Sequence, residues 1–199
     1  YLPVARWFVW TNWVVARPVR PAHRAPRVSV ICPCRNEQGN IEGVVRRLPP
    51  LGSRTELIFV EGHSRDGTLA ECRRVAAAYP DRDIKVLVQS GKGKGDAVRL
   101  GFSQAGGDAL MILDADLSVA PEDLPQFYDA MVSNVGDFTM GSRLVYTMDP
   151  KAMRFLNLVG NRFFGLLLSA LIGQPIKDSL CGTKAIWRED YERLAAGRA

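Results

Sequence analysis

From Arg27 onward, short apolar runs alternate with helix-length amphipathic segments, which predicts an α/β domain with a mainly parallel, doubly wound sheet flanked by helices. Two further observations support that class. The apolar run Met111-Ile112-Leu113 passes directly into Asp114-Ala115-Asp116, placing two carboxylates at the carboxyl end of a strand, where open α/β sheets bind ligands. The first two apolar runs also lead into polar, turn-forming loops, so three strand ends carry reactive side chains toward one sheet edge.

Taken in order, Val28 to Cys32 is a first strand, followed by a loop and a helix near Ile41 to Leu48. Glu56 to Val60 is a second strand. A helix follows from about Gly67 to Tyr79, with Asp66 as its expected N-cap. Ile84 to Val88 is the third strand, leading through a Gly-rich turn into a helix from Gly95 to Ala105. Leu110 to Leu113 is the fourth, bounded by Gly106-Gly107 before it and by Pro121 after it. Pro121-Glu122-Asp123 opens another helix, since proline suits a first turn. Asp137 to Met140 is a fifth strand, and a long helix is expected over about Ala152 to Leu171. Its polar face carries Arg154, Asn157, Asn161 and Arg162, so its apolar side packs on the sheet or lies in a membrane interface. A last helix-like run covers Glu189 to Ala196.

Before Arg27 the pattern differs. Trp7, Trp10 and Trp13 recur at helical spacing, but Pro3 and Arg6 interrupt a run too short to span a bilayer. Residues 1–26 therefore read as the tail of a preceding segment plus a Pro/Arg-rich linker, with an interfacial helix as the alternative. Residues 27–199 form the domain, expected to be truncated at its C-terminus.

Composition narrows the function. With 47% hydrophobic and 24% charged residues, the 199-residue chain is neither disordered nor collagen-like. A net charge of +5 suits an anionic ligand or an anionic membrane surface. Neither a zinc-finger spacing nor an RNA-binding aromatic signature is present, so no nucleic-acid partner is expected. The four cysteines are irregularly spaced, do not form a disulfide scaffold, and are expected reduced in a cytoplasmic setting.

The chemistry concentrates in the loops. Asp114 and Asp116 are hard oxygen donors one residue apart, a pattern suited to Mg²⁺ or Mn²⁺ when substrate phosphates complete the coordination. An isolated D-x-D is more often a turn; here other stretches agree with it. Carboxylates in the loops after the first two strands can hold a base and a ribose, and Lys92 and Lys94, among glycines, can reach phosphates.

These residues resemble the family 2 glycosyltransferases of GT-A fold, especially the dolichyl-phosphate and polyprenyl-phosphate sugar transferases. The resemblance covers roughly Arg27 to Arg188. It rests on P-x-R-N-E at Pro33 to Glu37, S-x-D-G-T at Ser64 to Thr68, G-K-G-x-A at Gly93 to Ala97, the L-D-A-D-L-S run, Gly141-Ser-Arg143, and Asp178 to Lys184 as a D-x-x-x-G-T-K element. It implies a Rossmann-like GT-A sheet binding a nucleotide-diphospho-sugar. Pro33, Arg35 and Glu37 would border base and ribose, Glu61 the base, and Ser64, Lys94 and Asp114 the rest of the donor. Asp114 and Asp116 would hold the metal ion. Asp178, Lys184 and Arg143 would serve the acceptor and the leaving diphosphate. Glu61-Gly62-His63 departs from the family's frequent Asp-Asp-x-Ser, which leaves the base open. In relatives another strand and a basic loop follow the Asp178 element, and neither is read before Ala199.

The resemblance further implies an inverting transfer of a sugar from a UDP- or GDP-sugar to a polyprenyl or dolichyl phosphate at the cytoplasmic face of a membrane. Two alternatives stand beside it: a non-catalytic nucleotide-sugar-binding or membrane-associated scaffold, and a sugar-nucleotide pyrophosphorylase. Against the latter, Pro33-Cys-Arg-Asn-Glu37 stands where that class carries a Gly-rich phosphate turn.

Overall fold

The computed structural model describes residues 25–141 and 181–197, together with 164–167 and positions 169, 171 and 173. The elements are β1 (Val28–Cys34), α1 (Ile41–Arg47), β2 (Thr55–Glu61), α2 (Thr68–Ala78), β3 (Asp83–Val88), α3 (Lys94–Gln104) and β4 (Ala109–Ile112). After a 3₁₀ turn at Pro121–Asp123 come α4 (Leu124–Val132), β5 (Phe138–Met140), β6 (Lys184–Trp187) and α5 (Arg188–Ala196). The expected elements through β5 appear within two residues of their sequence-derived bounds, as does the final helix. The N-terminal tail, and the expected long helix up to residue 163, lie outside the described residues, whereas 164–167 are helical.

Among the described residues six strands form one sheet in the order β3-β2-β1-β4-β6-β5. β1 runs parallel to β2 and β4, and β2 parallel to β3. The far side is antiparallel: β6 pairs with β4 and with β5. β6 corrects the expectation that no further strand precedes Ala199. Only four residues long, Lys184-Ala-Ile-Trp187 carries too little alternation to stand out in sequence, and it becomes a strand because β4 offers it a ladder.

Side chains alternate across the sheet and divide the core in two. Val28, Val30 and Cys32 meet α1, α2 and α4 on one face, with Val44, Cys72 and Leu124. Ile31, Ile58 and Leu110 meet α3 on the other, with Ala97 and Phe102. There Phe102 meets Tyr191 of α5 edge-on, with ring centroids 4.7 Å apart. Helices on both faces make the sheet doubly wound. Gly101 explains how closely α3 approaches: a Cβ there would stand 2.5 Å from Ile31 Cγ2.

At the amino end of the strands a buried polar knot stiffens the sheet. Glu56 accepts from the Ser29 hydroxyl and the Gly106 amide and pairs with Lys85, while the Gly107 amide donates to Ser29 Oγ. α5 is tied to the same region, where the Arg188 guanidinium donates to the carbonyls of Ala105 and Gly107.

One local expectation is corrected. The N-cap position of α2 is Gly67, not Asp66. Asp66 acts from one residue further out, accepting from both the amide and the hydroxyl of Thr68.

Candidate functional site

Sequential strands β1, β2 and β3 step in one direction across the sheet, and β4 then returns to the other side of β1. Such a reversal leaves a crevice at the carboxyl ends of the two strands that flank it. A cavity of about 280 Å³ lies there. Pro33 enters from the end of β1, Arg35 and Glu37 from the loop after it, Asp114 and Asp116 from the loop after β4, and Lys94 from the first turn of α3. Six residues named from sequence are thus gathered from three elements. A depression of about 550 Å³ at the opposite sheet edge, lined by residues 50–55 and 80–83, holds none of them.

The loops after β1 and β2 are latched together by reciprocal bonds. Asn36 donates its amide to Ser64 Oγ and accepts from the Arg65 amide. The Glu37 amide donates to Thr68 Oγ1, and the Gln38 amide to Asp66. In return, Gln38 Oε1 accepts from the Gly67 amide. Asn36 and His63 both have φ of 57°, a left-handed conformation that asparagine tolerates well. The polar residues of both motifs therefore serve largely to hold one loop against the other.

This latch decides where two sequence-derived donor contacts sit. Glu61 is 3% exposed, and its carboxylate accepts from the Ser64 amide at 2.5 Å. Burial pushes that carboxyl up, but donation from the Ser64 hydroxyl and amide and from the His63 amide outweighs it and holds the group below the usual range. Neither Glu61 nor Ser64 is among the residues lining the cavity; both brace its wall from behind. The longer glutamate has folded back onto its own loop.

Asp114 is half-buried, with Ala115 turned into the core and Asp116 exposed. Lys94 Nζ forms an ion pair with Asp114. The Asp116 carboxylate accepts from the Ser118 amide at 2.9 Å. Leu117, with φ of 56°, completes the tight turn that brings both carboxylates to one side. Gly182 presses against this group: a Cβ there would lie 2.0 Å from Asp114 Oδ2 and 2.3 Å from Lys94 Nζ. The β4–β6 register explains the approach, because Ile112 stands opposite Lys184.

Lys184 itself donates to the Cys181 carbonyl at 2.6 Å and fixes that loop. Lys92 does not line the cavity. Arg143 and Asp178 lie outside the described residues. Gln89 and Gly62 border the cavity although nothing in the sequence singled them out, because a lone Gln or Gly after a strand has no distinguishing pattern.

Among the described residues no three His, Cys, Asp or Glu side chains are grouped to hold a metal ion. Asp114 and Asp116 supply two neighbouring hard oxygen donors, a set that suits a divalent cation whose remaining ligands come from substrate phosphates. A doubly wound sheet with a cavity at its switch point is the class of α/β protein that holds small ligands at the carboxyl ends of its strands. More narrowly, residues 29–195 match the model of glycosyl transferase family 2, and the chain belongs to that family.

Curated relatives agree. A dolichol-phosphate mannosyltransferase of Pyrococcus furiosus is 31% identical over 172 residues, covering 83% of this chain and 47% of the relative. The Saccharomyces cerevisiae dolichol-phosphate mannosyltransferase is 35% identical over 58% of this chain and 44% of its own. A polyprenol monophosphomannose synthase of Mycolicibacterium smegmatis is 32% identical, with 88% and 66% covered. The chain thus spans from under half to about two thirds of the length of these relatives.

Among solved structures, a Pyrobaculum calidifontis mannosyltransferase determined with GDP-Man and Mn²⁺ superimposes with TM-score 0.61 at 24% identity, over 96% of this chain and 51% of that one. The Mycobacterium tuberculosis glucosyl-3-phosphoglycerate synthase gives 0.63 at 22% identity, over 88% and 64%. These likenesses establish the GT-A fold.

Proposed function

We propose that this chain carries the donor site of an inverting glycosyltransferase that moves a sugar from a nucleoside diphosphate to a polyprenyl phosphate. The observation that carries the reading is the switch-point cavity, where Lys94, Asp114 and Asp116 meet the Pro33–Glu37 loop. The relatives named for dolichol-phosphate and polyprenol-phosphate mannosyl transfer support the acceptor class.

In this reading Asp116 and Asp114 hold a divalent ion, Mn²⁺ or Mg²⁺; when bound it neutralises charge on the departing diphosphate. Lys94 is placed to swing from Asp114 onto a phosphate oxygen, and Pro33, Arg35 and Glu37 border the nucleoside. The acceptor's phosphate oxygen forms a bond to the anomeric carbon as the bond to the diphosphate breaks, and the electron pair leaves with the diphosphate. A phosphate is already anionic near neutral pH, so this acceptor needs no strong general base. We assign Lys184 and Arg143 to balancing its charge, and Asp178 to the same side of the site. A lipid acceptor also implies work at a membrane surface. Among the described residues no helix is long and apolar enough to cross a membrane.

The test is calorimetric titration of the chain with GDP and UDP, with and without Mn²⁺, beside Asp116→Asn. Metal-dependent binding of one nucleotide, weakened at least tenfold in the variant, is the expected result. Binding indifferent to Mn²⁺ and to Asp116 would overturn the reading.

A further inference from the structure

The geometry points to Lys94 as an internal counter-cation that holds Asp114 in the free protein, so that a divalent ion and a nucleoside diphosphate bind together far better than either binds alone. This inference rests on the donor-site reading above and adds to it the coupling between the two ligands and the residue that sets it.

The contact is built into the fold. Lys94 Nζ donates to Asp114 Oδ1, and the aspartate side chain, 20% exposed, is mostly withdrawn from water. Gly182 covers the pair: a Cβ there would clash with both Lys94 Nζ and Asp114 Oδ2, so only a residue without a side chain admits the contact as it stands. The backbone under Lys94 is fixed as well. Gly91 donates its amide to Asp96 and accepts at its carbonyl from Gln89 Nε2. The Ala97 amide donates to the Gly93 carbonyl and closes the first turn of α3. The main chain is therefore held, while the lysine side chain, 48% exposed, carries its ammonium on a flexible four-carbon stem that can exchange one oxygen partner for another.

Charge then makes the two ligands interdependent. Asp114, Asp116 and Lys94 together carry one net negative charge, and Arg35 and Glu37, which also line the cavity, offset each other. A divalent ion arriving alone must share Asp114 with the ammonium or expel it into water, and it leaves an excess of positive charge. A diphosphate arriving alone draws Lys94 away and leaves a mostly buried carboxylate unpaired beside further negative charge. With both present, the ammonium passes to a phosphate oxygen and the ion takes its place on Asp114. The charge of a nucleotide-sugar's diphosphate then cancels that of the ion, and the ion pair is broken once for two ligands. Each ligand therefore raises the affinity of the other by the same factor. The free protein holds little metal until a donor arrives.

The experiment compares wild type, Lys94→Met and Lys94→Arg in two measurements. Electron paramagnetic resonance follows Mn²⁺ binding to the protein without nucleotide. Calorimetry follows GDP and UDP binding in saturating Mn²⁺ and in EDTA, and the ratio of the two affinities is the coupling factor. Lys94→Met is expected to bind Mn²⁺ alone about tenfold more tightly than wild type, and its coupling factor is expected to shrink about tenfold. Lys94→Arg keeps the charge and is expected to restore weak binding of Mn²⁺ alone. Both variants are expected to melt near wild type, since a half-exposed ion pair adds little stability, which also shows that they fold. If Lys94→Met binds Mn²⁺ alone no more tightly than wild type, or binds it more tightly with an unchanged coupling factor, Lys94 does not exchange between the two ligands. This inference then fails while the donor site stands. If wild type binds neither nucleotide in a Mn²⁺-dependent way, the donor-site reading fails and takes this inference with it.

Discussion

The backbone amide of Asn36 donates to the hydroxyl of Ser64 at 3.0 Å, joining two loops whose residues are 28 apart in sequence. Ser64 also donates to Glu61, so one hydroxyl couples the loop after β1 to the folded-back glutamate after β2. Ser64→Ala is expected to cost about 1 kcal/mol of stability. Thr68→Val is expected to cost more, about 1–3 kcal/mol, because Thr68 is fully buried and the Glu37 amide then loses its acceptor. Chemical denaturation measures both. Nucleotide affinity is expected to fall in parallel, since the Pro33–Glu37 loop loses its support.

Two glycines separate site effects from core effects. Gly182→Ala drives a methyl group into the Lys94–Asp114 pair, whose flexible ends can move aside. Its melting temperature is expected to stay near wild type, while Mn²⁺-dependent nucleotide binding weakens tenfold or more.

At Gly101 the obstacle is Ile31, fully buried and stiff at its branched Cβ. Gly101→Ala is expected to lose about 1–3 kcal/mol through overpacking. Nucleotide affinity measured well below the melting temperature should be nearly unchanged. A Gly101→Ala protein as stable as wild type would show that α3 can shift away from β1.

Glu56 carries a pH dependence. Burial raises its carboxyl, but the Gly106 amide, Lys85 and Ser29 together hold it below the usual range. A carboxyl depressed in the folded state adds stability above its unfolded value, about 4.3, and that stability is lost as pH falls through the folded value. Glu56→Gln is therefore expected to be less stable than wild type at pH 7 by about 1–3 kcal/mol. The gap should narrow steadily below about pH 4. Urea unfolding at several pH values checks this, and a gap independent of pH would show that Glu56 is not ionised in the fold.

The thiols give a further test. All four cysteines are buried and none is in a disulfide, and Cys34 Sγ lies 3.8 Å from Cys72 Sγ. Its hydrogen bond with Cys72 and burial hold the Cys34 thiol far above the ordinary range, and burial does the same for Cys32. Ellman's reagent at pH 8 is expected to react slowly or not at all with the native protein and with all four thiols after unfolding. A rapidly reacting equivalent in the native protein would contradict that burial.

The parallel half of the sheet was legible because its strands are apolar runs bounded by glycine, proline and polar loops, with Met111 to Leu113 the plainest case. β6 was not, since Lys184–Trp187 owes its conformation to a partner remote in sequence. The same distinction runs through the site. Asp114, Asp116, Lys94 and the Pro33–Glu37 loop converge on one cavity, as their positions after successive strands require. The inward turn of Glu61 was not readable, because it depends on the amides of His63 and Ser64. Neither was the buried, unpartnered oxygen of Gln89, whose amide nitrogen donates to the Gly91 carbonyl.

The position of β6 beside β4 also bears on how the protein is made. On the ribosome, β4 can pair with β1 at once, but its other edge stays open until the β6 residues emerge. At synthesis rates of about 5–20 residues per second, that interval lasts seconds. Throughout it an apolar strand, Ala109-Leu-Met-Ile112, presents unpaired backbone to the cell. Nascent chains stalled before residue 184 therefore keep that edge exposed, and Gly182 closes against Asp114 and Lys94 only when β6 pairs with β4.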